Sequence, residues 1–407
     1  MRFSFRAARL AASAGLCGAG LATIPIICTA ADNGTAFNPK ISLILQGNYA
    51  DFSNSTPTLV PGFLLPGQDS FVPSGLSLNE TELAVESNID DYFHGWAAIA
   101  LDNDANGNTQ VSVENAYIDT LTLPYGFAGR IGRFYSEIGY LNHVHAHAWD
   151  FIDQPLIYST MLDSQYHDDG GQLRWIAPTD FLLEIGGELL RGAQFPGGGE
   201  HRSGVPAKTA FAHVGDDLGD SWSYRVGLSY LRIDEDNRLT GEPTQTAFSG
   251  NSGLGAADFV FKWSPHGNPT VHNAVIQGEY FHRRENGALI NDPNGAATNS
   301  DYSGHESGYY VQGVYQFVPH WRIGARYDWI ETSNALSNPA TGTDLATLAD
   351  NSHHPQRESV MVDWSHSEFS RIRLQYNHDQ SRSGGATDNQ VFLQYIFAMG
   401  SHPAHSF

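Results

Sequence analysis

Three histidines alternate with other residues near the middle of the chain, at His143, His145 and His147, and Asp150 follows them. In an extended segment, alternate side chains point to the same side, so three imidazoles would face one ligand. Imidazole nitrogens are common ligands of Zn²⁺ and similar ions. The spacing therefore predicts a metal site at these three histidines. The other interpretation is a surface loop whose histidines only form hydrogen bonds.

Two stretches rich in Asp and Asn, at 234–236 and 291–301, could bind Ca²⁺ or the cations that accompany lipopolysaccharide. Neither stretch has the ligand spacing of a defined calcium cage. Apart from Zn²⁺ or Ca²⁺ on loops, the sequence predicts no cofactor.

Charged side chains elsewhere fall on one face of segments that alternate with period two. The acidic members are Glu80, Glu82, Glu86, Glu114, Glu184 and Glu188, and the basic members are Arg225, Arg322, Arg326, Arg371 and Arg373. The acids come mostly early in the chain and the arginines late, so a closed sheet would place them on opposite walls. We expect these residues to line a pore with a transverse electric field. The simpler interpretation is that they only keep the lumen wet.

The opposite face of the same segments is apolar and often begins or ends with Trp or Tyr. In 321–330, for example, Trp321, Ile323 and Trp329 alternate with polar residues such as Arg322 and Arg326. A soluble β-sandwich also alternates, but segments of about 9–11 residues with aromatic ends are typical of strands that cross a membrane. Because lipid cannot satisfy a sheet edge, such strands must close into a barrel. The predicted fold class is all-β, a transmembrane antiparallel β-barrel of about 16 strands.

The predicted strands alternate between short turns and long polar loops. The strands are 40–50, 77–88, 92–101, 110–121, 126–135, 170–177, 180–191, 207–215, 220–232, 257–264, 271–284, 306–318, 320–331, 356–366, 369–379 and 389–400. The long loops are 51–76, 136–169, 192–206, 233–256, 285–305 and 332–355. This regular alternation of connection lengths is typical of outer-membrane barrels.

The first 31 residues resemble a secretory signal peptide, with three arginines, an apolar Ala/Gly-rich stretch and small residues at 29–31. Both cysteines of the chain, Cys17 and Cys28, lie in this segment. We therefore expect residues 32–407 to form a barrel without thiols or disulfides.

The chain carries 22 basic and 44 acidic residues, a formal net charge of −22. Only three lysines follow the predicted signal, Lys40, Lys208 and Lys262. This balance excludes a basic footprint for nucleic acid. It favours attraction of cations.

The predicted loop 136–169 contains apolar and aromatic residues that a free external loop would not expose. We expect this third loop to fold into the lumen, with a short helix near 155–162, although it could instead pack on the barrel mouth. Its aspartates would then lie at the constriction: Asp150, Asp153, Asp163, Asp168 and Asp169.

Four segments together carry a resemblance to a known family. They are GFAGRIGRFYSEIGYLNHVHAHAW at 126–149, DFIDQPLIY at 150–158, LRWIAPTD at 173–180 and GSHPAHSF at 400–407. The chain resembles bacterial outer-membrane barrels that are similar to phosphate-selective porins and are often labelled zinc-regulated, TonB-dependent outer membrane receptors. The resemblance implies a Gram-negative outer-membrane location, reached through the periplasm, and transport of small solutes. By analogy with sixteen-stranded porins, it also implies a homotrimer.

Passive diffusion of small hydrophilic solutes or ions is the function that we expect. The alternative is a zinc-linked uptake receptor that uses the His-rich third loop. Energised uptake is disfavoured because the first predicted strand begins at Lys40, which leaves no room for a plug domain. An enzyme is disfavoured because no nucleophile motif stands out, and a structural adhesin is expected only if the lumen is plugged. The expected partners are membrane lipid, lipopolysaccharide and the solute.

Overall fold

The computed structural model of the protein describes residues 38–54, 60–65, 72–78, 80–103, 109–199, 204–240, 246–291, 298–337, 348 and 353–400. The predicted signal peptide at 1–31 and the final residues 401–407 lie outside this part of the chain. The metal interpretation of 291–301 is also only partly covered, because 292–297 lie outside it.

Sixteen antiparallel strands form the barrel, and two of them are divided into two parts. The strands are β1 (Lys40–Phe52), β2 (Gly75–Leu78), β3 (Thr81–Asn88), β4 (Phe93–Asn103), β5 (Thr109–Thr120), β6 (Phe127–Tyr135), β7 (His167–Ile176), β8 (Leu182–Leu190), β9 (Ala207–Leu218), β10 (Trp222–Thr240), β11 (Thr246–Trp263), β12 (Asn273–Asn291), β13 (Thr298–Val318), β14 (Trp321–Thr332), β15 (Ala335–Ser337), β16 (Gln356–Ser367), β17 (Ser370–Asp379) and β18 (Asp388–Gly400). β2 and β3 both pair with β1, and β14 and β15 both pair with β13. Each of these two pairs therefore counts as one barrel strand.

The sheet closes on itself through its first and last strands. β1 pairs antiparallel with β18 over eleven registered positions, from Ser42 opposite Gly400 to Phe52 opposite Gln390. On its other side β1 pairs with β3, and each later strand pairs with its neighbour in the chain. Closure satisfies the backbone groups that an open edge would leave to lipid. The predicted sixteen-stranded antiparallel barrel is confirmed.

Alternation along each strand separates an outer from an inner face. In β18, Leu393 and Tyr395 are 47% and 45% exposed, whereas Gln394 between them is 2% exposed. The same alternation holds in β10, where exposed Leu228 and Tyr230 flank buried Ser229. The apolar and aromatic side chains predicted to meet lipid are thus on the outside, and the polar face points into the lumen.

The two ends of the barrel differ in the length of their connections. At one end, here called the short-turn end, neighbouring strands are joined by a few residues, as at 219–221 and 319–320. The other end, the long-loop end, is where β1 ends and β2 begins, where β8 ends and β9 begins, and where the connection 136–166 leaves β6. The predicted alternation of short and long connections is present.

Two of the predicted loops, 233–256 and 285–305, are wrong over most of their length. β10 and β11 continue to Thr240 and from Thr246, and β12 and β13 continue to Asn291 and from Thr298. These strands have 18–21 residues, about twice the length that a membrane crossing needs. Their outer parts form hairpins beyond the lipid, where the alternation is inverted: apolar Leu231 and Ile233 are buried inside, and polar Arg232 is exposed outside. Because β10 continues to Thr240, residues 234–236 lie in a strand and not in a loop.

The helices are short. The α-helix α1 covers Leu156–Met161, and the other helical segments with described bounds are single 3₁₀ turns. In the described part of the chain no helix is long and apolar enough to span a membrane.

A basic substitution on the outer face tests which residues meet hydrocarbon. Leu393→Arg, near the middle of β18, should lower the free energy of unfolding by about 2–4 kcal/mol, because arginine is costly at the bilayer midplane. Asn389→Arg lies on the same face near the long-loop end and should cost at most about 1 kcal/mol. Urea titration of the protein in lipid vesicles measures both. Equal costs for the two variants would show that the exposed face does not meet lipid.

The candidate functional site in the barrel lumen

The loop between β6 and β7, residues 136–166, crosses the barrel interior and is called L3 below. Every residue of its helix α1 is buried. Its contacts reach inward-facing side chains on opposite parts of the wall. Ser136 Oγ donates to Glu188 of β8, Leu156 N donates to Asp328 of β14, and Ile152 N donates to Gln375 of β17. L3 therefore spans the lumen.

Glu279 on β12 holds the first half of L3. Its carboxylate accepts hydrogen bonds from the backbone N–H groups of Tyr140 and Leu141 at 2.8 and 2.9 Å, and from the Tyr158 hydroxyl at 2.9 Å. Gly139 allows this approach, because a Cβ at that position would lie 2.3 Å from Glu279 Oε2 and the backbone has a φ of +74°. A buried loop needs such acceptors, since its own N–H groups have no strand partner.

Asp153 holds the second half of L3. Its two oxygens lie 2.9 Å from Arg326 and 2.9 Å from Arg357, and they also accept bonds from Gln375 and Asn377 at 2.6 and 2.8 Å. Burial alone would raise the pKa of the Asp153 carboxyl, but Arg357 and Arg326 lower it. Asp153 is therefore ionised and fixed by three strands, β14, β16 and β17.

The inner face of the wall becomes apolar where L3 packs against it. Leu231, Ile233 and Phe281 are buried and belong to the same cluster as Leu156 and Ile157 of α1. The Arg283 guanidinium donates to the carbonyl of Met161, the last residue of α1, at 3.0 Å. The inward face is thus polar in some parts and matched to the apolar loop in others.

The arginines predicted to form a basic wall are mostly paired with carboxylates. Arg322 donates to Asp150 of L3 at 2.8 Å and to Asp363 of β16 at 2.6 Å. Arg373 lies 3.4 Å from Asp363, and Arg326 donates to Asp328 at 2.8 Å as well as to Asp153. Pairing of this kind reduces the long-range field of the predicted basic wall.

Arg371 differs from the other predicted arginines. Its Nε and Nη1 atoms are buried and have no hydrogen-bond partner in the part of the chain that the structure describes. Arg371 lines a cavity of about 950 Å³ between L3 and the short-turn end. The cavity is also lined by Asp150, Lys262, Gln312 and Arg322. The cavity thus brings several charged side chains together, and the Nε and Nη1 atoms of Arg371 have no hydrogen-bond partner among the described residues.

The three predicted metal histidines separate into two groups. His143 lies 3.6 Å from Glu137, and burial lowers its pKa to about 4. His145 and His147 face the other way, toward Glu80 and Glu82, and the four side chains could hold a metal ion. The structure therefore does not bring the three histidines together on one ligand.

His145 and Glu137 have opposite electrostatic surroundings. Burial would lower the pKa of the His145 imidazole, but Glu114 and Glu82 raise it well above the usual value. Burial would raise the pKa of Glu137, but His143, His213 and Arg225 lower it to about 2.

The remaining predicted acids form local pairs on the wall. Glu86 lies 3.0 Å from Lys40, and Glu184 lies 3.1 Å from His213. Glu188 accepts from Gln172 at 2.9 Å and from the Glu137 backbone N–H at 3.0 Å. On the basic side, Arg225 lies 3.2 Å from Asp258 and 5.2 Å from the centre of the Tyr140 ring.

Two of the five predicted constriction aspartates belong to a strand. Asp168 and Asp169 lie in β7, which begins at His167 rather than at 170 as predicted. Asp168 accepts from the Tyr166 hydroxyl, and Asp169 lies 2.7 Å from Arg133. Asp163 lies just after α1 with a φ of +50°. Asp150 and Asp153 are the two that contact the arginines of the opposite wall.

The sequence analysis missed Glu279 and Arg357, although each anchors L3. Strand parity could have found both, since Glu279 alternates with outward Tyr280 and Arg357 with outward Glu358. A buried network near the long-loop end was also missed, in which Arg238 lies 2.9 Å from Glu285 and Arg283 pairs with Glu306. These residues lie in segments assigned to loops or to strand ends.

A closed antiparallel barrel of sixteen strands, apolar outside and polar inside, with its third long-end loop folded inward, defines the porin class of outer-membrane fold. Solved structures support this class. The Vibrio cholerae outer membrane protein OmpT lacking loop L8 gives a TM-score of 0.54 at 13% identity, covering 90% of this chain and 100% of that one. Salmonella typhi OmpF gives a TM-score of 0.54 at 11% identity, and the match covers 89% of this chain and 98% of OmpF. At these identities, the likeness shows the fold.

No family model matches the chain. A protein of Aquifex aeolicus (strain VF5), described as an uncharacterized protein, is 30% identical over 404 residues, which cover 91% of this chain and 80% of that protein. The chain belongs to the same family as this Aquifex protein. The phosphate-selective and zinc-regulated receptor labels of the sequence resemblance stay predictions.

Removing the Asp153 carboxylate tests the anchor of L3. Asp153→Ala leaves Arg326 and Arg357 buried without this partner, so we expect the free energy of unfolding to fall by about 3–5 kcal/mol. Asp169→Ala is the matched control, because it breaks an exposed pair with Arg133 that contributes at most about 1 kcal/mol. Urea titration in vesicles measures both variants. A loss at Asp153 no larger than that at Asp169 would contradict an anchoring role.

Proposed function

We propose that the protein is a channel in the Gram-negative outer membrane through which small hydrophilic solutes or ions diffuse passively. The observation that carries this proposal is the cavity of about 950 Å³ beneath L3, whose lining includes the charged residues Asp150, Lys262, Arg322 and Arg371. A wet space with charged walls, inside a barrel whose outer face is apolar, favours polar solutes over apolar ones. The porin and channel folds that the chain resembles support the same function.

The location and assembly that we propose follow from the same fold. The protein is exported through the periplasm, with its signal removed, and is inserted among outer-membrane lipid and lipopolysaccharide. We propose a homotrimer, which a similar fold supports: the trimer form of Vibrio cholerae OmpT covers 89% of this chain with a TM-score of 0.51. The comparisons do not favour the zinc-linked uptake receptor, and the proposal includes no catalytic step.

The permeant ion meets a smaller field than the sequence predicts. Arg322, Arg326 and Arg373 are each matched by a carboxylate, so their fields largely cancel at a distance. Arg371 lacks such a match among the described residues and faces the cavity. We propose that selectivity resides at Arg371 and favours anions, although the chain as a whole is acidic.

Permeation is tested by reconstituting the protein in liposomes and planar bilayers. We expect sugars to enter at rates that fall steeply with size, because L3 spans the lumen and leaves a restricted passage. We also expect discrete single-channel currents. Liposomes that remain impermeable to the smallest sugars, together with bilayers that carry no current, would reject the channel and favour a plugged structural barrel.

Selectivity is tested by Arg371→Gln, which removes one positive charge from the cavity wall. A unit charge about 8 Å from an ion in water changes its energy by about 0.5 kcal/mol. Removing Arg371's charge raises the energy of an anion and lowers that of a cation by this amount, so we expect the anion-to-cation permeability ratio to fall roughly sixfold. Reversal potentials in a salt gradient measure this ratio. Asn389→Gln on the outer face is the control and should leave the ratio unchanged. An unaltered reversal potential for Arg371→Gln would place selectivity elsewhere.

A further inference from the structure

Two histidines of L3 meet two glutamates of the wall at one point in the lumen. Glu80 directly precedes β3, and Glu82 is the second residue of β3. His145 and His147 belong to L3. One ligand atom from each of the four side chains lies within 4.8 Å of the other three. Glu82 Oε2 lies 2.7 Å from His145 Nδ1 and 3.5 Å from His147 Nδ1. The four side chains thus converge on a common centre.

A β-bulge directs a fifth polar side chain to the same place. Ala98 of β4 is opposite Asn115 and Ile99 is opposite Val113, so Glu114 is the extra residue of β5. As a result, the consecutive residues Glu114 and Asn115 are both buried, at 5% and 4% exposure. Bulges commonly redirect a side chain toward a functional site. Here both residues approach His145, Glu114 Oε2 at 3.4 Å from Nδ1 and Asn115 Nδ2 at 3.2 Å from Nε2.

The facing atoms are close to one another without aligned hydrogen bonds. Glu82 Oε2, Glu114 Oε2 and His145 Nδ1 are buried, and none forms a hydrogen bond of acceptable geometry with the described residues. Oε1 of Glu80 is also buried and forms no hydrogen bond with the described residues. Glu82 Oε2 and His145 Nδ1 form an ion pair at 2.7 Å, and one atom from each of the four side chains is close enough to the others to share one ion.

The cluster carries more negative than positive charge. Three carboxylates, those of Glu80, Glu82 and Glu114, surround two imidazoles, and no arginine or lysine of the described residues forms an ion pair with them. Burying carboxylates without compensation is costly. A divalent cation at the centre compensates the buried carboxylates, and the imidazoles then act as neutral ligands.

We propose that Glu80, Glu82, His145 and His147 bind one divalent transition-metal ion, such as Zn²⁺, in a tetrahedral site. Two imidazole nitrogens and two carboxylate oxygens suit Zn²⁺, whereas Ca²⁺ and Mg²⁺ prefer oxygen ligands alone. A tetrahedral ion with bonds of about 2.0–2.2 Å needs ligand atoms about 3.3 Å apart. The distances of 2.7 and 3.5 Å from Glu82 to the imidazoles bracket that value.

The remaining two residues orient the ligands. With the ion on Nδ1 of His145, the Nε2–H group donates to the side-chain oxygen of Asn115 when its amide is turned to face the ring. Partners of this kind fix the ring of a metal-binding histidine. Glu114 remains beside the ion as a further carboxylate. Because two ligands come from L3 and two from the wall, the ion crosslinks the loop to the barrel at its β3 side, which the Asp153 and Glu279 anchors do not reach.

The test is zinc titration by calorimetry of the full-length protein in detergent, after removal of bound metal with a chelator. We expect one Zn²⁺ per chain, and we expect His147→Gln to weaken binding at least about 100-fold, since even the loss of an outer partner costs 10–100-fold. His143→Gln is the matched control. It belongs to the same run of alternating histidines but faces Glu137, so zinc affinity should be unchanged.

Two further measurements keep the result interpretable if a variant folds poorly. Glu80→Gln removes a ligand that directly precedes β3, and it should weaken zinc binding as His147→Gln does. Co²⁺ in place of Zn²⁺ should give the intense visible absorption of tetrahedral coordination. The proposal is overturned if the wild type shows no saturable zinc binding, or if His143→Gln weakens binding as much as His147→Gln. The cluster is then a metal-free salt bridge between a protonated His145 and its glutamates.

Discussion

A loop that crosses the interior of a barrel must find acceptors for its backbone N–H groups, because it has no neighbouring strand to supply them. In this protein the wall supplies them as side chains. Glu279 accepts from two successive residues of L3, Glu188 accepts from Glu137, and Asp328 accepts from Leu156. An unpaired N–H in this interior would cost free energy comparable to that of a lost hydrogen bond. The carboxylates of the wall therefore determine where the loop runs.

The remaining charge chemistry follows from this constraint. Wall carboxylates and loop carboxylates require cations nearby, and the late strands supply arginines such as Arg326 and Arg357. Breaking one of these buried pairs is more costly than the pair is stabilising, so each residue depends on its partner. The side chains that look like a pore lining in the sequence thus serve mainly to hold L3. Arg373 instead pairs with Asp363 on the wall, and Arg371 lies at the cavity below the loop.

The barrel could be predicted from the sequence because lipid imposes a strict rule on every second residue. All sixteen predicted strands overlap observed ones, since Leu393, Leu228 and their equivalents must face outward. The long hairpins of β10–β13 escaped prediction because the alternation is inverted beyond the lipid, where apolar Leu231 and Ile233 face inward and polar Arg232 faces outward.

The contacts inside the lumen were less predictable, because they depend on which residues of L3 and of distant strands come together in space. Parity places Arg322 in the lumen, but it cannot show that Asp150 and Asp363 face it. Regular spacing suggested one ligand for three histidines, yet two 3₁₀ turns at 141–143 and 146–148 turn His143 away from His145. The bulge at Glu114 is a single-residue irregularity that period two cannot reveal.

Hydrogen–deuterium exchange across L3, with the protein in lipid vesicles, tests the central claim most directly. The account predicts that the amides of Tyr140, Leu141, Ile152 and Leu156 exchange as slowly as those of the neighbouring strands β6 and β7, because buried side chains of the wall accept their hydrogen bonds. Exchange of these amides at the rate of an unprotected external loop would show that L3 is not held across the lumen, and would contradict the account.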